Sequence, residues 1–243
     1  MSSARKVLVG LLDQTGAGKP LRQLRRWRQG RRKDWTPLVP PEQFAAYCGV
    51  AIDELGKHGH EFGDYLEFGV SRGTSFAAMH DVLAKKELNT VRLFGFDSFE
   101  GLPPEAEREG WKPGDFYSSI SATRKYLNER GIDWTRSTLI KGWFKDTLND
   151  ETIQQYNIER ASLIMVDCDI YSASRAALWF SESLIGDHAI IFFDDWGSGP
   201  QKNRIGQIEA FDEFLGAFPH LKADPMPSYS ENARVFLVSR ILD

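Results

Sequence analysis

Cysteine is scarce in this 243-residue sequence, which contains only Cys48 and Cys168. Two thiols are too few for a disulfide framework or a four-thiolate zinc site, so we expect no disulfide. Long apolar runs are also missing. The run near the start, residues 7–12, includes Gly10 and is too short for a signal-peptide core or a membrane span. These absences predict a soluble, cytoplasmic protein without a transmembrane segment.

Several catalytic patterns are absent as well. The five histidines have no spacing that would join them to acids in a metal site. No serine stands in a nucleophile elbow, and no Cys-x-x-Cys occurs. A nicotinamide dehydrogenase would carry Gly-x-Gly-x-x-Gly, whereas the first glycine turn here is Gly69-x-x-x-Gly73. The sequence therefore disfavours hydrolases of the serine type and nicotinamide enzymes.

The net charge of -4 is unevenly distributed along the chain. Residues 1–34 hold ten Lys and Arg against two Asp, which gives +8 and leaves -12 for the remainder. Leu21, Leu24 and Trp27 lie on one face of a predicted helix, with guanidinium groups around them. This basic arm could pack on the acidic body of its own chain or of a partner subunit, form an unpacked tail, touch a membrane surface weakly, or bind nucleic acid. We favour packing or an unpacked tail over the other two, expect no nucleic-acid partner, and expect a homodimer.

Apolar runs and helical patterns alternate after residue 37. Runs rich in Val, Ile and Phe predict strands at 64–70, 91–98, 137–144, 161–169, 188–196 and 233–242. Helices are predicted at about 42–57, 73–86, 121–130, 145–156, 172–184 and 204–217. This alternation predicts an α/β fold with a doubly wound, mostly parallel sheet covered on both faces. We assign residues 1–60 to a basic, helical N-terminal arm and residues 61–243 to the main domain.

In such sheets ligands bind beyond the carboxyl ends of the strands. The first run ends in LEFGVSRGTSF (66–76), where glycines let the backbone approach a ligand and a helix begins with free N–H groups. The second run ends at Asp97, 24 residues after Gly73, about the separation at which an acid accepts hydrogen bonds from ribose hydroxyls. Together they indicate an adenosine-containing ligand. A turn needed only for packing, with Asp97 as a helix cap, is the alternative.

Two further strand ends each carry a pair of acids. The stretch LIMVDCDIY contains Asp167 and Asp169, and AIIFFDDW contains Asp194 and Asp195. Carboxylates converging at one edge of a sheet repel one another, and a set of oxygen ligands favours Mg²⁺, Mn²⁺ or Ca²⁺ over zinc. Helix capping by these acids is the alternative. A metal-dependent glycosyltransferase would also use an Asp-x-Asp pair, and a silent binding module would keep the fold without turnover.

Five ordered blocks, DYLEFGVSRGTS, FGFDSFEGLP, IKGWFKDTL, LIMVDCDIYSAS and IIFFDDWGS, resemble the macrocin O-methyltransferase family over residues 62–215. The resemblance implies a Rossmann-like seven-stranded sheet, S-adenosyl-L-methionine and Mg²⁺ as cofactors, and methyl transfer to a hydroxyl of a sugar or glycosylated small molecule. Residues 61–243 would then be the catalytic domain. The architecture is also similar to catechol-type O-methyltransferases, but the lysine base of those enzymes has no counterpart between residues 146 and 201.

The resemblance also implies roles for individual residues. Asp169 would be the general base, and Asp97 would hold the ribose hydroxyls. The metal ligands would be Asp167, Asp194 and Asp195. The other cofactor contacts would come from Glu67, Phe68, Gly69, Ser71, Gly73, Thr74, Ser75, Ser98, Phe99, Gly142, Trp143 and Phe144. Two departures from the family pattern, Trp196 for Tyr and Cys168 for Gly, leave the acceptor open. The Pro-rich, charged segment 100–119 is a candidate lid.

Overall fold

The computed structural model describes residues 39–59, 61–196 and 206–241. Within them one seven-stranded sheet has the order β3-β2-β1-β4-β5-β7-β6. Its strands are β1 (Asp64–Phe68), β2 (Leu93–Asp97), β3 (Ser137–Lys141), β4 (Ala161–Val166), β5 (Ile185–Phe193), β6 (Leu221–Met226) and β7 (Arg234–Arg240). The basic arm of residues 1–34 lies outside the described residues, so its helix and its contacts remain predictions.

The sheet is mixed, with an antiparallel edge. Strands β1 to β5 pair in parallel, whereas β7 runs antiparallel to both β5 and β6. The prediction of a doubly wound, mostly parallel sheet is confirmed, but the sequence patterns did not reveal β6. That strand contains Pro225 next to the acid Asp224, a composition that is tolerated because β6 is an edge strand and needs no ladder hydrogen bonds on its outer side.

The helices lie close to their predicted positions. They are α1 (Pro41–Gly56), α2 (Thr74–Lys85), α3 (Ile120–Glu129), α4 (Phe144–Thr147), α5 (Asp150–Tyr156), α6 (Tyr171–Glu182) and α7 (Gln207–Ala217), with a 3-10 helix at Pro104–Glu109. The single helix expected at 145–156 is divided because the Asn149 side chain accepts the Thr152 N–H at 2.9 Å and caps α5. None of the helices in the described residues is long and apolar enough to cross a membrane.

Side chains of the central strands alternate between two buried layers. Tyr65, Met165 and Phe192 pack in one layer with residues of α1 and α2. Their neighbours along each strand point to the other layer, which includes residues of α6 and α7. Burial on both faces explains why these strands are apolar throughout. Helix α1 shares this core through residues such as Phe44, and the domain division at residue 60 remains a prediction.

The strand register places three chain segments side by side at one edge. Phe68 of β1 stands opposite Val166 of β4, and Val166 stands opposite Phe193 of β5. The next residues are therefore in one row. The Asp167 N–H donates to the Phe68 carbonyl at 2.8 Å, and the Asp194 N–H donates to the Val166 carbonyl at 3.2 Å. Sheet pairing thus extends one residue beyond the strands and fixes the backbone positions of Asp167 and Asp194.

We predict that Gly69→Ala strongly destabilises the protein. Gly69 has φ of +94°, and a Cβ there would lie 1.6 Å from the Asp167 carbonyl oxygen. The substitution must separate the ends of β1 and β4 and should lower the free energy of unfolding by about 3 kcal/mol in urea denaturation. Gly216→Ala, in α7 with nothing within 4 Å, is the control and should be neutral or stabilising. Equal stability of the two variants would contradict the close approach.

Candidate active site

A cleft of about 960 Å³ opens at the carboxyl ends of the parallel strands. The loops after β1 to β5 form its floor and sides, and α1 contributes Phe44. Its volume is in the range of small-molecule and cofactor sites. Its position is the one at which open α/β sheets bind ligands.

Most of the predicted site residues line this cleft, namely Gly69, Ser71, Thr74, Ser75, Asp97, Ser98, Gly142, Trp143, Phe144, Asp167, Asp169, Asp194 and Asp195. Glu67, Phe68, Gly73 and Phe99 do not line it. Phe68 lies in the core, where its ring stacks on Phe96 with centroids 5.1 Å apart. The strand alternation turns its side chain toward α6, so the structure places this predicted cofactor contact away from the cleft.

Glu67 is a buried acid with both carboxyl oxygens occupied. Its Oε2 accepts the Tyr65 hydroxyl at 2.5 Å, and its Oε1 accepts the Ser75 hydroxyl at 2.8 Å. Burial raises the pKa of Glu67 to about 8, against the lowering effect of these hydrogen bonds. The side chain is therefore mainly protonated at neutral pH in the unliganded protein. It joins β1 to the first turn of α2, which lines the cleft.

Asp97 ties together the loops after β1 and β2. Its Oδ2 accepts the Ser71 N–H at 2.8 Å, and its Oδ1 accepts the Phe99 N–H at 2.5 Å. Burial raises the pKa of Asp97, although these N–H groups act in the opposite direction. A carboxylate has about four acceptor positions, so each oxygen can accept one more hydrogen bond. This arrangement fits a pair of ligand hydroxyls in the cleft.

Three carboxylates meet in the same cleft as Asp97. Asp167, Asp194 and Asp195 each offer one oxygen, and these atoms lie within 4.8 Å of one another. Burial raises the pKa of all three carboxyls, that of Asp195 to about 7, and repulsion from the neighbouring acids adds to the shift of Asp167 and Asp195. Desolvated oxygen donors with excess negative charge suit a hard divalent cation. The donor set therefore fits the predicted metal.

Asp169 lies beside the three-carboxylate cluster in a strained turn. It has φ of +60°, and the Ile170 N–H donates to the Cys168 carbonyl at 2.6 Å across it. Its own N–H donates to Asp195 Oδ2 at 3.0 Å. A non-glycine residue in the left-handed region costs energy and is frequent at functional sites. The turn sets Asp169 in the cleft next to the cluster without making it one of the three.

Two residues that the sequence did not reveal hold this cluster. Buried Gln207 accepts the Asp195 N–H at 3.0 Å and donates to the Val166 carbonyl at 2.9 Å, so it joins the ends of β5 and β4. The Tyr229 hydroxyl donates to Asp194 Oδ1 at 2.7 Å. Gln207 begins α7 and lies within the helix predicted at 204–217, and Tyr229 follows an unpredicted strand, so neither stands where a parallel strand ends. No local pattern indicated them.

The segment predicted as a lid forms one wall of the cleft. Leu102, Asp115 and Phe116 line it. Glu109, at the end of the 3-10 helix, accepts the backbone N–H groups of Tyr171 at 2.6 Å and Ser172 at 3.3 Å. This carboxylate binds the amino-terminal end of α6, where the helix dipole favours negative charge. The wall is thus anchored to α6 in this structure, and its movement remains a prediction.

The fold and the cleft together define a Rossmann-like methyltransferase. The sheet order, the position of the cleft at the switch between β1 and β4, and the acids after β2, β4 and β5 are the basis for this assignment. The chain belongs to the macrocin O-methyltransferase (TylF) family, whose sequence model matches residues 50–214. It is therefore an O-methyltransferase.

Solved structures of similar fold include two O-methyltransferases. NovP is 18% identical with a TM-score of 0.66, over 82% of this chain and 80% of that one. The calicheamicin methyltransferase CalS11 is 20% identical with a TM-score of 0.61, over 77% of each chain. In its apo form CalS11, described as a TDP-rhamnose 3'-O-methyltransferase, gives a TM-score of 0.55 at 20% identity over 77% of each chain. No curated protein sequence matches significantly. At sequence identities this low, the structural similarity shows only that this chain shares their fold.

We predict that Glu67→Gln makes the unliganded protein less sensitive to alkali. Between pH 4.5 and about 8 folded Glu67 holds a proton that the unfolded chain has released, so its contribution to the free energy of unfolding falls as pH rises through this window. Glutamine can keep both contacts, with its oxygen accepting from one hydroxyl and its amide N–H donating to the other, and it cannot ionise. The free energy of unfolding of the Glu67→Gln variant, relative to that of wild type, should therefore increase by a few kcal/mol between about pH 5 and about pH 8.5. Denaturant unfolding without metal measures this difference.

The matched control for this experiment is Glu54→Gln. Glu54 is an exposed acid of α1 paired with Lys57. Its substitution should leave the pH dependence of wild type unchanged, because surface ion pairs contribute little. Parallel pH curves for wild type and Glu67→Gln would show that the Glu67 carboxyl is not protonated in the folded state.

Proposed function

We propose that this O-methyltransferase uses S-adenosyl-L-methionine and Mg²⁺ to methylate a hydroxyl of a sugar or glycosylated small molecule. The observation that carries the proposal is the convergence of Asp167, Asp194 and Asp195 in the same cleft as Asp97 and the Gly69 loop. A sugar acceptor is supported by the family and by the description of CalS11 as a TDP-rhamnose 3'-O-methyltransferase. Residues 1–34 carry a net positive charge and the rest of the chain a net negative charge. Attraction between the arm of one subunit and the body of another would favour a homodimer.

The cofactor supplies an electrophilic methyl group on a positively charged sulfur. Asp97 would accept hydrogen bonds from its ribose hydroxyls with the acceptor positions that Ser71 and Phe99 leave open. The loop of Gly69, Ser71, Thr74 and Ser75 would hold the methionine part, where the start of α2 offers backbone N–H groups to a carboxylate. Residues 142–144 would lie along the adenine. Glu67 would support this loop through Ser75.

Asp167, Asp194 and Asp195 would hold the divalent cation, which supplies Lewis acidity toward the acceptor oxygens. Asp169 would accept the proton of the reacting hydroxyl as the oxygen attacks the methyl carbon, whose bond to sulfur breaks so that S-adenosylhomocysteine leaves. The strained turn around Asp169 and its N–H bond to Asp195 fix that carboxylate next to the cluster. The chain's main contribution would be alignment of oxygen, carbon and sulfur, together with exclusion of water by the cleft wall at 100–119.

Calorimetry on the purified protein tests the two cofactors separately. S-adenosylhomocysteine should bind with a micromolar dissociation constant, whereas UDP-glucose and NAD should not bind. The double variant Asp194→Asn/Asp195→Asn should lose Mg²⁺ binding and methyl transfer but retain S-adenosylhomocysteine, because it removes ligand charge and not the Gly69 loop. Transfer is assayed with methyl-labelled S-adenosylmethionine and TDP-rhamnose, then with metabolite extracts of the host read by mass spectrometry.

The control for the double variant is Asp224→Asn, which changes a half-buried acid of β6 that pairs with Lys222 at 2.9 Å and lies outside the cleft lining. It should leave both affinities unchanged. Binding of UDP-glucose without S-adenosylhomocysteine would replace the proposal by a glycosyltransferase. Transfer that continues in a metal chelator would remove the metal from the mechanism and leave the methyltransferase.

The base is tested by Asp169→Asn. This substitution removes the proton acceptor and keeps the shape of the side chain, so kcat should fall by about 10²- to 10⁴-fold. Affinities for S-adenosylhomocysteine and Mg²⁺ should remain near wild type. Asp115→Asn, another acid of the cleft wall, should lower kcat far less. Comparable losses in both variants would indicate that negative charge in the cleft, and not a base at Asp169, is what matters.

A further inference from the structure

Tyr229 lies in the turn between β6 and β7, far along the chain from the strand ends of the cleft. Its ring is 4% exposed, and its hydroxyl donates to Asp194 Oδ1 at 2.7 Å. A tyrosine hydroxyl carries one proton to donate, and an ionised carboxylate can only accept, so Tyr229 is the donor in this bond. It is a neutral group in direct contact with one of the three clustered carboxylates.

Contacts with α1 fix both the ring of Tyr229 and the backbone of its turn. Its ring packs edge-on against Phe44 of α1, with centroids 5.1 Å apart, and lies 5.9 Å from the Tyr47 ring. The Gln43 amide donates to the Tyr229 carbonyl, and the Tyr47 hydroxyl donates to the Pro227 carbonyl in the same turn. Helix α1 thus holds the turn in place. Movement of the Tyr229 hydroxyl away from Asp194 would disrupt these contacts with α1.

Asp194 needs such a restraint. The terminal torsion of an aspartate is broad, so a carboxylate without a fixed partner can rotate. Repulsion from Asp167 and Asp195 favours rotation away from the cluster, because their oxygens lie within 4.8 Å. A donor on Oδ1 reduces this repulsion and leaves lone pairs on Oδ2 available to a cation. Groups that hydrogen-bond to metal ligands in this way commonly change metal affinity by 10- to 100-fold.

We infer that Tyr229 is a positioning residue for the divalent cation: its hydroxyl holds the Asp194 carboxylate in the orientation that completes the three-carboxylate site. This inference rests on the metal dependence proposed above. It also gives helix α1 and the β6–β7 turn a role at the site, although α1 supplies no metal ligand. If Tyr229 only filled the core beside Phe44, loss of its hydroxyl would leave the affinity for the cation unchanged.

Tyr229→Phe removes the hydroxyl and keeps the ring. We expect the dissociation constant for Mn²⁺, measured on the full chain by electron paramagnetic resonance of the free ion, to rise by about tenfold or more. The thermal shift produced by Mn²⁺ should shrink accordingly, while the dissociation constant for S-adenosylhomocysteine stays the same. In transfer assays the Mn²⁺ concentration for half-maximal rate should rise, and kcat at saturating Mn²⁺ should return near wild type.

Tyr171→Phe is the matched control, because it removes a tyrosine hydroxyl that donates to a carboxylate outside the cluster, that of Glu213 at 2.8 Å. Its Mn²⁺ affinity should equal that of wild type. Melting without metal shows whether both variants fold. If Tyr229→Phe binds Mn²⁺ as wild type does, Tyr229 does not position Asp194. If wild type itself binds no Mn²⁺, the proposed metal dependence fails, and this inference fails with it.

Discussion

The pairing of β1, β4 and β5 is the constraint on which the site depends. Phe68, Val166 and Phe193 stand in register, and the backbone hydrogen bonds continue to Asp167 and Asp194. A shift of one residue would turn the side chains of a strand to the opposite face, so the two buried layers lock the register and thereby the positions of the acids. The hydrophobic core thus determines where the acids of the polar site lie.

The cost of this arrangement is electrostatic. Several carboxyl groups lie in or beside one cleft, and burial raises their pKa values because it disfavours the charged form. Three of the acids accept compensating hydrogen bonds from within the chain. Tyr65 and Ser75 bind Glu67, backbone N–H groups bind Asp97, and Tyr229 binds Asp194. Repulsion among Asp167, Asp194 and Asp195 remains, and a divalent cation would relieve it.

The periphery of the fold contributes to the site through contacts with these acids. The antiparallel edge of the sheet brings the β6–β7 turn to Asp194, and α1 packs behind that turn. On the other side, Glu109 fixes the cleft wall to the start of α6. These elements lie outside the five parallel strands. They supply orientation and enclosure, while the strand ends supply the charged groups.

The sequence by itself determined the strand and helix alternation, the mostly parallel sheet and the acids at its carboxyl edge. These features are local: period, glycine turns and chain breaks are visible among neighbouring residues. Only the tertiary structure decided that Phe68 faces the core, that Leu221–Met226 is an edge strand, and that Tyr229 and Gln207 hold the cluster. Tyr229 lies 35 residues from Asp194, and Gln207 lies 41 from Val166. Contacts across such separations follow from packing, which no short pattern encodes.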